Sequence, residues 1–66
     1  MQTIEDLKAE LKKLSAKATQ AKMDLHDLSE DLPINWQMIP EVAARALDAF
    51  RTLEAKRAEL KQLEAA

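Results

Sequence analysis

The only histidine of this chain stands four residues before a glutamate, and this pair is the nearest approach to a metal-ligating pattern. His26 and Glu30 would lie on one face of a helix, at a spacing that lets an imidazole and a carboxylate reach the same divalent ion. Two ligands are too few for a tight site, and no HExxH-type motif accompanies them. We therefore interpret His26 as a surface residue and expect no functional metal site, with His26 and Glu30 as the weak candidates for one.

No group of residues has the arrangement of a nucleophile with its general base. The chain has two serines, Ser15 and Ser29, and both fall in a helical pattern, away from His26 by helix face or by distance. It has no cysteine and no glycine, which leaves no thiolate site, no disulfide and no glycine-rich phosphate loop. We expect a protein that is not an enzyme and that uses no cofactor.

Carboxylates are concentrated in residues 24–41, a stretch without lysine or arginine. Its charge is −5, against +2 for residues 1–23 and +1 for residues 42–66. Two interpretations stay open: a docking surface for a basic patch on a partner protein, or a solvated end that keeps the chain soluble. The five acidic residues are Asp24, Asp27, Glu30, Asp31 and Glu41.

The same stretch contains the only tryptophan, Trp36, close to Met38. Tryptophan and methionine are enriched where proteins contact each other, so an exposed Trp36 would anchor a partner. Alternatively, the indole plugs the open end of a helical bundle, with its N–H bonded to a loop carbonyl or to water. The candidate partner-binding residues are Trp36, Asp24, Asp27, Glu30, Asp31 and Met38.

Apolar residues at alternating spacings of three and four, on both sides of the acidic stretch, predict two long amphipathic helices. The first series begins at Ile4 and the second at Ile39. Thr3 is a suitable N-cap, and Pro33 disfavours helical geometry at the residue before it. We predict one domain over residues 1–66, with a helix at about 3–31, a linker at about 32–36 and a helix at about 37–64.

So short a linker makes the two helices antiparallel neighbours. Pairing them about the linker sets Ala18 near Leu53 and Leu25 near Ala46, so that small side chains meet large ones. A two-helix hairpin leaves the other side of both seams in water, and a chain this short usually gains its missing core by self-association. The predicted fold is all-α: an antiparallel, coiled-coil-like hairpin that forms a homodimeric four-helix bundle.

The composition also bears on localisation and on nucleic acid. No apolar run approaches the roughly 20 residues of a membrane-spanning helix, and the charged N-terminal residues do not suit a signal peptide. We therefore expect a soluble, cytoplasmic protein with no membrane partner. A net charge of −2 disfavours generic binding to phosphate backbones, and lysines interleaved with glutamates are typical of a solvated helix surface.

The chain resembles the small Rop-like family encoded within nitrogen-fixation gene clusters. The resemblance covers the stretches IEDLKAELKKLSAKATQAKMDLHDL, LPINWQMIPEVA and AFRTLEAKRAEL, and its specific part is the central LP..W..IPEVA. It implies two helices joined by a short linker, a rod-like dimer similar in outline to the plasmid RNA regulator Rop, and a role as a nitrogenase accessory protein. The family offers no catalytic motif to transfer.

These observations lead to one preferred function and two alternatives. We interpret the chain as a non-enzymatic nitrogen-fixation accessory protein that binds a nitrogenase component or a cofactor-maturation protein, in assembly, stabilisation or repair. The first alternative is a Rop-like RNA-binding regulator that acts through Lys12, Lys13 or Arg57. The second is a weak metal-binding protein that uses His26 and Glu30.

Overall fold

The computed structural model describes residues 3–65 as two long helices joined by a tight turn. The first helix, α1, spans Ile4–Asp31, and the second, α2, spans Ile39–Ala65. A single 3₁₀ turn, Trp36–Met38, leads directly into α2. The hairpin is a rod of 49 × 17 × 15 Å. This confirms the predicted all-α antiparallel hairpin, and the 3₁₀ turn occupies the last residue of the predicted linker and the first two of the predicted second helix.

The start of α1 is fixed by the predicted N-cap. The Thr3 hydroxyl accepts a hydrogen bond of 3.1 Å from the backbone N–H of Asp6, and the Thr3 carbonyl accepts one of 3.0 Å from Leu7. Glu5 and Asp6 lie in the first turn, where the positive end of the helix dipole favours negative charge. Leu7, the first core residue of α1, is fully buried, so the packed core begins one turn after the cap.

The core is a narrow seam between the helices. Ala18, Ala49 and Leu53 form one buried cluster, against which Leu11, Leu14 and Ala21 pack. The predicted proximity of Ala18 and Leu53 is confirmed. Two alanines among three buried residues let the backbones approach closely, while the leucines fill the layers between them. The other buried residues of the seam are Leu7, Leu28, Val42 and Ala46.

A charged residue interrupts the seam of α2. Lys56 occupies a position where the heptad would place an apolar side chain, and it is half-buried there. Its ammonium lies 3.6 Å from a carboxylate oxygen of Glu10 on α1 and 3.4 Å from one of Glu59 on its own helix. The lysine stem can pack in the seam while the head stays at the edge, so this position links the helices electrostatically.

Many large apolar side chains remain in water. Within residues 3–65, nine of the eleven exposed large hydrophobic residues lie between positions 23 and 50, and the other two are Ile4 and Leu63 near the ends of the helices. Leu25, predicted to pack near Ala46, is 38% exposed. The excess of apolar surface is therefore concentrated in the half of the rod nearest the turn. No helix in the described part of the chain is long and apolar enough to cross a membrane.

Candidate protein-docking tip

We call the end of the rod formed by residues 27–41 the docking tip. Three backbone hydrogen bonds shape its turn: Ile34 N–H donates to the Asp31 carbonyl, Met38 N–H to the Asn35 carbonyl, and Ile39 N–H to the Trp36 carbonyl. Asn35 adopts a left-handed conformation with φ 62°, which asparagine tolerates better than most non-glycine residues. In a chain without glycine, Asn35 supplies the left-handed residue of this turn.

Apolar side chains project into solvent from this turn. Trp36 is 59% exposed and Ile34 is 67% exposed, and Leu32, Met38 and Ile39 are each about 40% exposed. Because the 3₁₀ turn and the bonded loop hold the backbone, these side chains are presented on an ordered support. Within a single hairpin the Trp36 ring is open to solvent, and the interpretation that it plugs the end of a four-helix bundle stays a prediction.

Carboxylates lie on the last two turns of α1 beside this apolar surface. Asp27 and Asp31 are four residues apart, which places them on one helix face. Neither Glu30 nor Asp31 has a cation in the last turn of α1 to offset it, although the negative end of the helix dipole disfavours anions there. The stretch therefore carries an electrostatic cost that a sequence selected for helix stability alone would avoid.

Asp24 does not belong to this tip. It lies seven residues before the end of α1, about 10 Å back along the helix, and it accepts a 2.9 Å hydrogen bond from the Gln20 side chain. Glu41 stands at the start of α2, 3.6 Å from the Arg45 guanidinium, which partly neutralises it. The structure thus brings together Trp36, Met38, Asp27, Glu30 and Asp31 of the predicted partner-binding residues, and separates Asp24 from them.

His26 and Glu30 adopt the predicted i, i+4 arrangement. The imidazole Nε2 lies 3.4 Å from a Glu30 carboxylate oxygen, and Nδ1 lies 3.9 Å from one of Asp27. All three side chains are more than half exposed, so water screens these interactions. Across residues 3–65 no cluster of three or more histidine, cysteine or acidic side chains has the geometry to hold a metal ion, and the pair supplies two donors.

The candidate RNA-contacting residues are distributed along the open half of the rod. Arg57 lies 3.3 Å from a carboxylate oxygen of Glu54, and the neighbouring Lys56 is paired with two glutamates. Lys12 and Lys13 are exposed on α1. Since glutamates pair with Lys56 and Arg57, this half of the molecule presents mixed charge.

A groove between the helices was not predicted from the sequence. It encloses about 300 Å³, and its small residues, Ala21 and Ala49, leave room between the backbones. The signal that could have revealed it was the meeting of two alanines across the seam. Two cations and two anions surround the alanines, so the groove has no net preference for ligand charge; they are Lys17, Asp24, Arg45 and Asp48.

Comparisons with known proteins agree closely over nearly the whole chain. The model of the Rop-like family matches residues 2–65. A UPF0437 protein of Azorhizobium caulinodans is 65% identical over 65 residues, which cover 98% of this chain and 94% of the relative. One from Trichormus variabilis is 51% identical over 63 residues, covering 96% of this chain and 73% of the relative.

Two further matches add genomic and structural context. A Frankia alni relative described as a UPF0437 protein in the nifX–nifW intergenic region is 58% identical over 40 residues, which cover 61% of this chain and 49% of that protein. An NMR structure of a structural-genomics target has a TM-score of 0.91 and 51% identity, and the match covers 98% of this chain and 92% of that one.

Proposed function

This chain belongs to the Rop-like family, and from that premise we propose that it is a non-enzymatic accessory protein of nitrogen fixation. It binds a nitrogenase component or a cofactor-maturation protein through the docking tip. The location of the Frankia relative between nifX and nifW supports the nitrogen-fixation context. The observation that carries the binding role is the exposed Trp36 on an ordered turn, next to carboxylates without a basic residue in the last turn of α1.

Trp36 has the properties of an interface anchor. Its large, stiff ring buries much apolar area at a low entropic cost, and tryptophan is among the residues that dominate binding energy when they fill a pocket. Ile34 and Met38 lie within two residues of it and are exposed as well. A partner with a shallow apolar pocket would therefore find a contiguous surface at the end of the rod.

Asp27, Glu30 and Asp31 define the partner's charge. Carboxylates at the rim of an apolar contact favour a partner surface rich in lysine or arginine, and they raise the association rate more than the affinity. The basic surface of such a partner would also offset the unfavourable interaction of Glu30 and Asp31 with the negative end of the α1 dipole. The proposed partner surface is therefore an apolar pocket with a basic rim.

Self-association is a second part of the proposal. Within the described residues 3–65, a single hairpin leaves nine large apolar residues exposed between positions 23 and 50. Short chains commonly cover such surface by forming dimers. A second copy would convert the two-layered rod into a four-helix bundle. The hairpin then supplies the scaffold and the docking tip supplies recognition.

A capture experiment with purified nitrogenase components and cofactor-maturation proteins tests the binding role. The tip variant combines Trp36→Ala with Asp27→Asn and Asp31→Asn. We expect wild type to retain a partner and the tip variant to lose it. A matched control neutralises two carboxylates at the other end of the rod, Glu59→Gln and Glu64→Gln, and should retain the partner.

The outcomes separate the hypothesis from its alternatives. Capture that is equal for wild type and the tip variant would place the contact elsewhere on the rod. No capture by wild type would reject the docking role. RNA binding at low salt that is lost on replacing Lys12, Lys13 and Arg57 would instead favour a regulator. Nickel or zinc uptake in equilibrium dialysis, abolished by His26→Ala, would favour a metal carrier.

A further inference from the structure

The groove between the helices contains two charged side chains that the hairpin leaves unpaired. Lys17 and Asp48 both line it, and among residues 3–65 neither side chain takes part in a hydrogen bond or an ion pair. Lys17 extends from α1 and Asp48 from α2, so the two helices contribute opposite charges to one cleft. A few polar groups around a cleft fix the orientation of its ligand, and here they are of both signs.

The other two charged residues of the groove already have partners. The Arg45 guanidinium lies 3.6 Å from a carboxylate oxygen of Glu41, one turn earlier on α2. The Gln20 side chain donates a 2.9 Å hydrogen bond to one carboxylate oxygen of Asp24. Because a carboxylate accepts at both of its oxygens, Asp24 can still bind a cation. The groove therefore offers a ligand two carboxylates and one ammonium.

These charges are separated along the length of the groove. Ala21 and Ala49 line it from opposite helices, so Asp48 stands about five residues nearer the turn than Lys17, or about 7 Å at 1.5 Å per residue. Asp24 stands nearer the turn than Lys17 by about 10 Å on the same measure. The cation therefore marks the end of the groove toward the open half of the rod, and both carboxylates mark the end toward the turn.

We propose that the groove binds a molecule with an ammonium at one end and a carboxylate at the other, joined by a linear apolar chain. The ammonium lies between Asp24 and Asp48, and the carboxylate contacts Lys17. This chemistry occurs in free ω-amino acids and at the C-terminal lysine of a protein. The inference is independent of the docking tip and of any nitrogenase partner.

The floor of the groove suits the apolar chain of such a ligand. Ala49 is buried and Ala21 packs against the core cluster, so their methyl groups form an apolar strip between the two charged ends. Each methylene of the ligand that leaves water for this strip favours binding. The volume of about 300 Å³ is at the lower end of the range for small-molecule sites, which fits a slender chain.

The two ends together select a zwitterion over a singly charged molecule. An amine without a carboxylate would be attracted by Asp24 and Asp48 and repelled by Lys17, and a carboxylate without an amine would meet the reverse. A molecule with both groups satisfies both ends at once. Since water screens exposed ion pairs, we expect a dissociation constant on the order of 1 mM that rises with salt.

The groove remains open when the exposed apolar surface of the hairpin is covered. Phe50 is two residues beyond the groove-lining Asp48, a rotation of about 200° on an α-helix, and it is exposed. Phe50 and Asp48 therefore point to opposite sides of α2. A protein surface that covers Phe50 would leave the groove accessible to a small ligand.

NMR titration of the isotope-labelled full chain tests the site. The probes are 6-aminohexanoate, which represents a free ω-amino acid, and Nα-acetyl-lysine, which represents a C-terminal lysine. We expect saturable shifts of the backbone amides of Gln20, Ala21 and Ala49. Hexylamine, hexanoate and Nα-acetyl-lysinamide each lack one of the two charges and should bind at least fivefold more weakly at the same ionic strength. Tighter binding of one zwitterionic probe identifies the source of the ligand.

Matched variants assign the contacts. Asp48→Asn and Lys17→Met should each weaken the binding of 6-aminohexanoate at least threefold. Both side chains are exposed, so the circular dichroism spectrum should stay unchanged. Glu54→Gln and Lys12→Met remove the same charges from residues that do not line the groove, and both should retain wild-type affinity.

Three results would overturn the proposal. One is the absence of saturable shifts at probe concentrations well above the expected dissociation constant. Another is equal affinity for hexylamine and 6-aminohexanoate, because the ligand carboxylate would then have no contact with Lys17. The third is wild-type affinity in Asp48→Asn. A failed capture experiment would reject the docking role of the tip and would not change this titration, so the two proposals fail separately.

Discussion

The ammonium of Lys56 and the carboxylate of Glu10 lie 3.6 Å apart and join the two helices where the apolar seam is interrupted. Both side chains are about one-third exposed, so the pair is partly screened and its contribution is small. We expect a double-mutant cycle of Glu10→Gln and Lys56→Met to give a coupling of roughly 0.5 kcal/mol in urea unfolding, decreasing with added salt. A coupling near zero at low salt would mean that the lysine stem, and not the charge, matters at this position.

Two threonines of α1 allow the contribution of its N-cap to be measured, because Thr3 is the cap and Thr19 lies within the helix. Thr3→Ala removes the hydroxyl that accepts from Asp6 N–H and should lower the free energy of unfolding by about 1 kcal/mol. Thr19→Ala removes a hydroxyl that bonds the Ser15 carbonyl within the helix and should leave stability unchanged or slightly higher, because alanine is the better helix former. Thermal unfolding followed by circular dichroism compares the two variants. Equal losses would contradict the capping role of Thr3.

The left-handed residue of the turn is a third test. Asn35→Ala should destabilise the hairpin by about 1 kcal/mol, because a β-carbon without a local hydrogen-bonding group is disfavoured at positive φ. Asn35→Gly should at least match the stability of wild type, since glycine has no such penalty. Gln37→Ala, in the 3₁₀ turn, is the control and should have little effect. The melting temperatures should follow the order Gly, Asn, Ala; alanine equal to asparagine would contradict the strain argument.

The anions at the end of α1 allow stability and binding to be separated. Glu30→Gln with Asp31→Asn should raise the free energy of unfolding by about 0.5–1 kcal/mol, because it removes two charges that the helix dipole disfavours. The same variant should weaken capture of a basic-rimmed partner. Chemical denaturation and the capture assay measure the two effects. A variant that is more stable and binds equally well would show that these carboxylates serve solubility alone.

The helices and their pairing could be predicted from the sequence because the apolar heptad spacing of α1 continues without interruption to the turn, and that of α2 is interrupted only at Lys56. Thr3 and Pro33 mark the boundaries of α1 by local chemistry that needs no tertiary context. The proximity of Ala18 and Leu53 follows from the short linker, since an antiparallel pair has one register about a fixed turn. These features are local, or depend on one geometric constraint, which is why the pattern predicts them.

Two features depended on tertiary placement and were not predicted. Asp24 belongs to the acidic stretch by composition, yet it lies about 10 Å along α1 from the end of that helix, beside the groove. The groove itself arises because Ala21 and Ala49 meet across the seam, and its polar rim comes from Arg45 and Asp48, which belong to no sequence motif. A one-dimensional pattern assigns faces to residues but does not measure the space left between them.

The hairpin orders its contacts by the length of chain that each contact encloses. Ala21 and Ala49, which line the groove, are 28 residues apart in the sequence. The separation is 35 residues for Ala18 and Leu53 of the core, and 46 residues for Glu10 and Lys56. Since longer loops cost more entropy to close, each layer is favoured by the one already formed nearer the turn. The rod should therefore open from its free ends inward, and amide hydrogen exchange should slow steadily toward the turn-proximal core, which leaves the proposed docking tip at the end where the scaffold opens last.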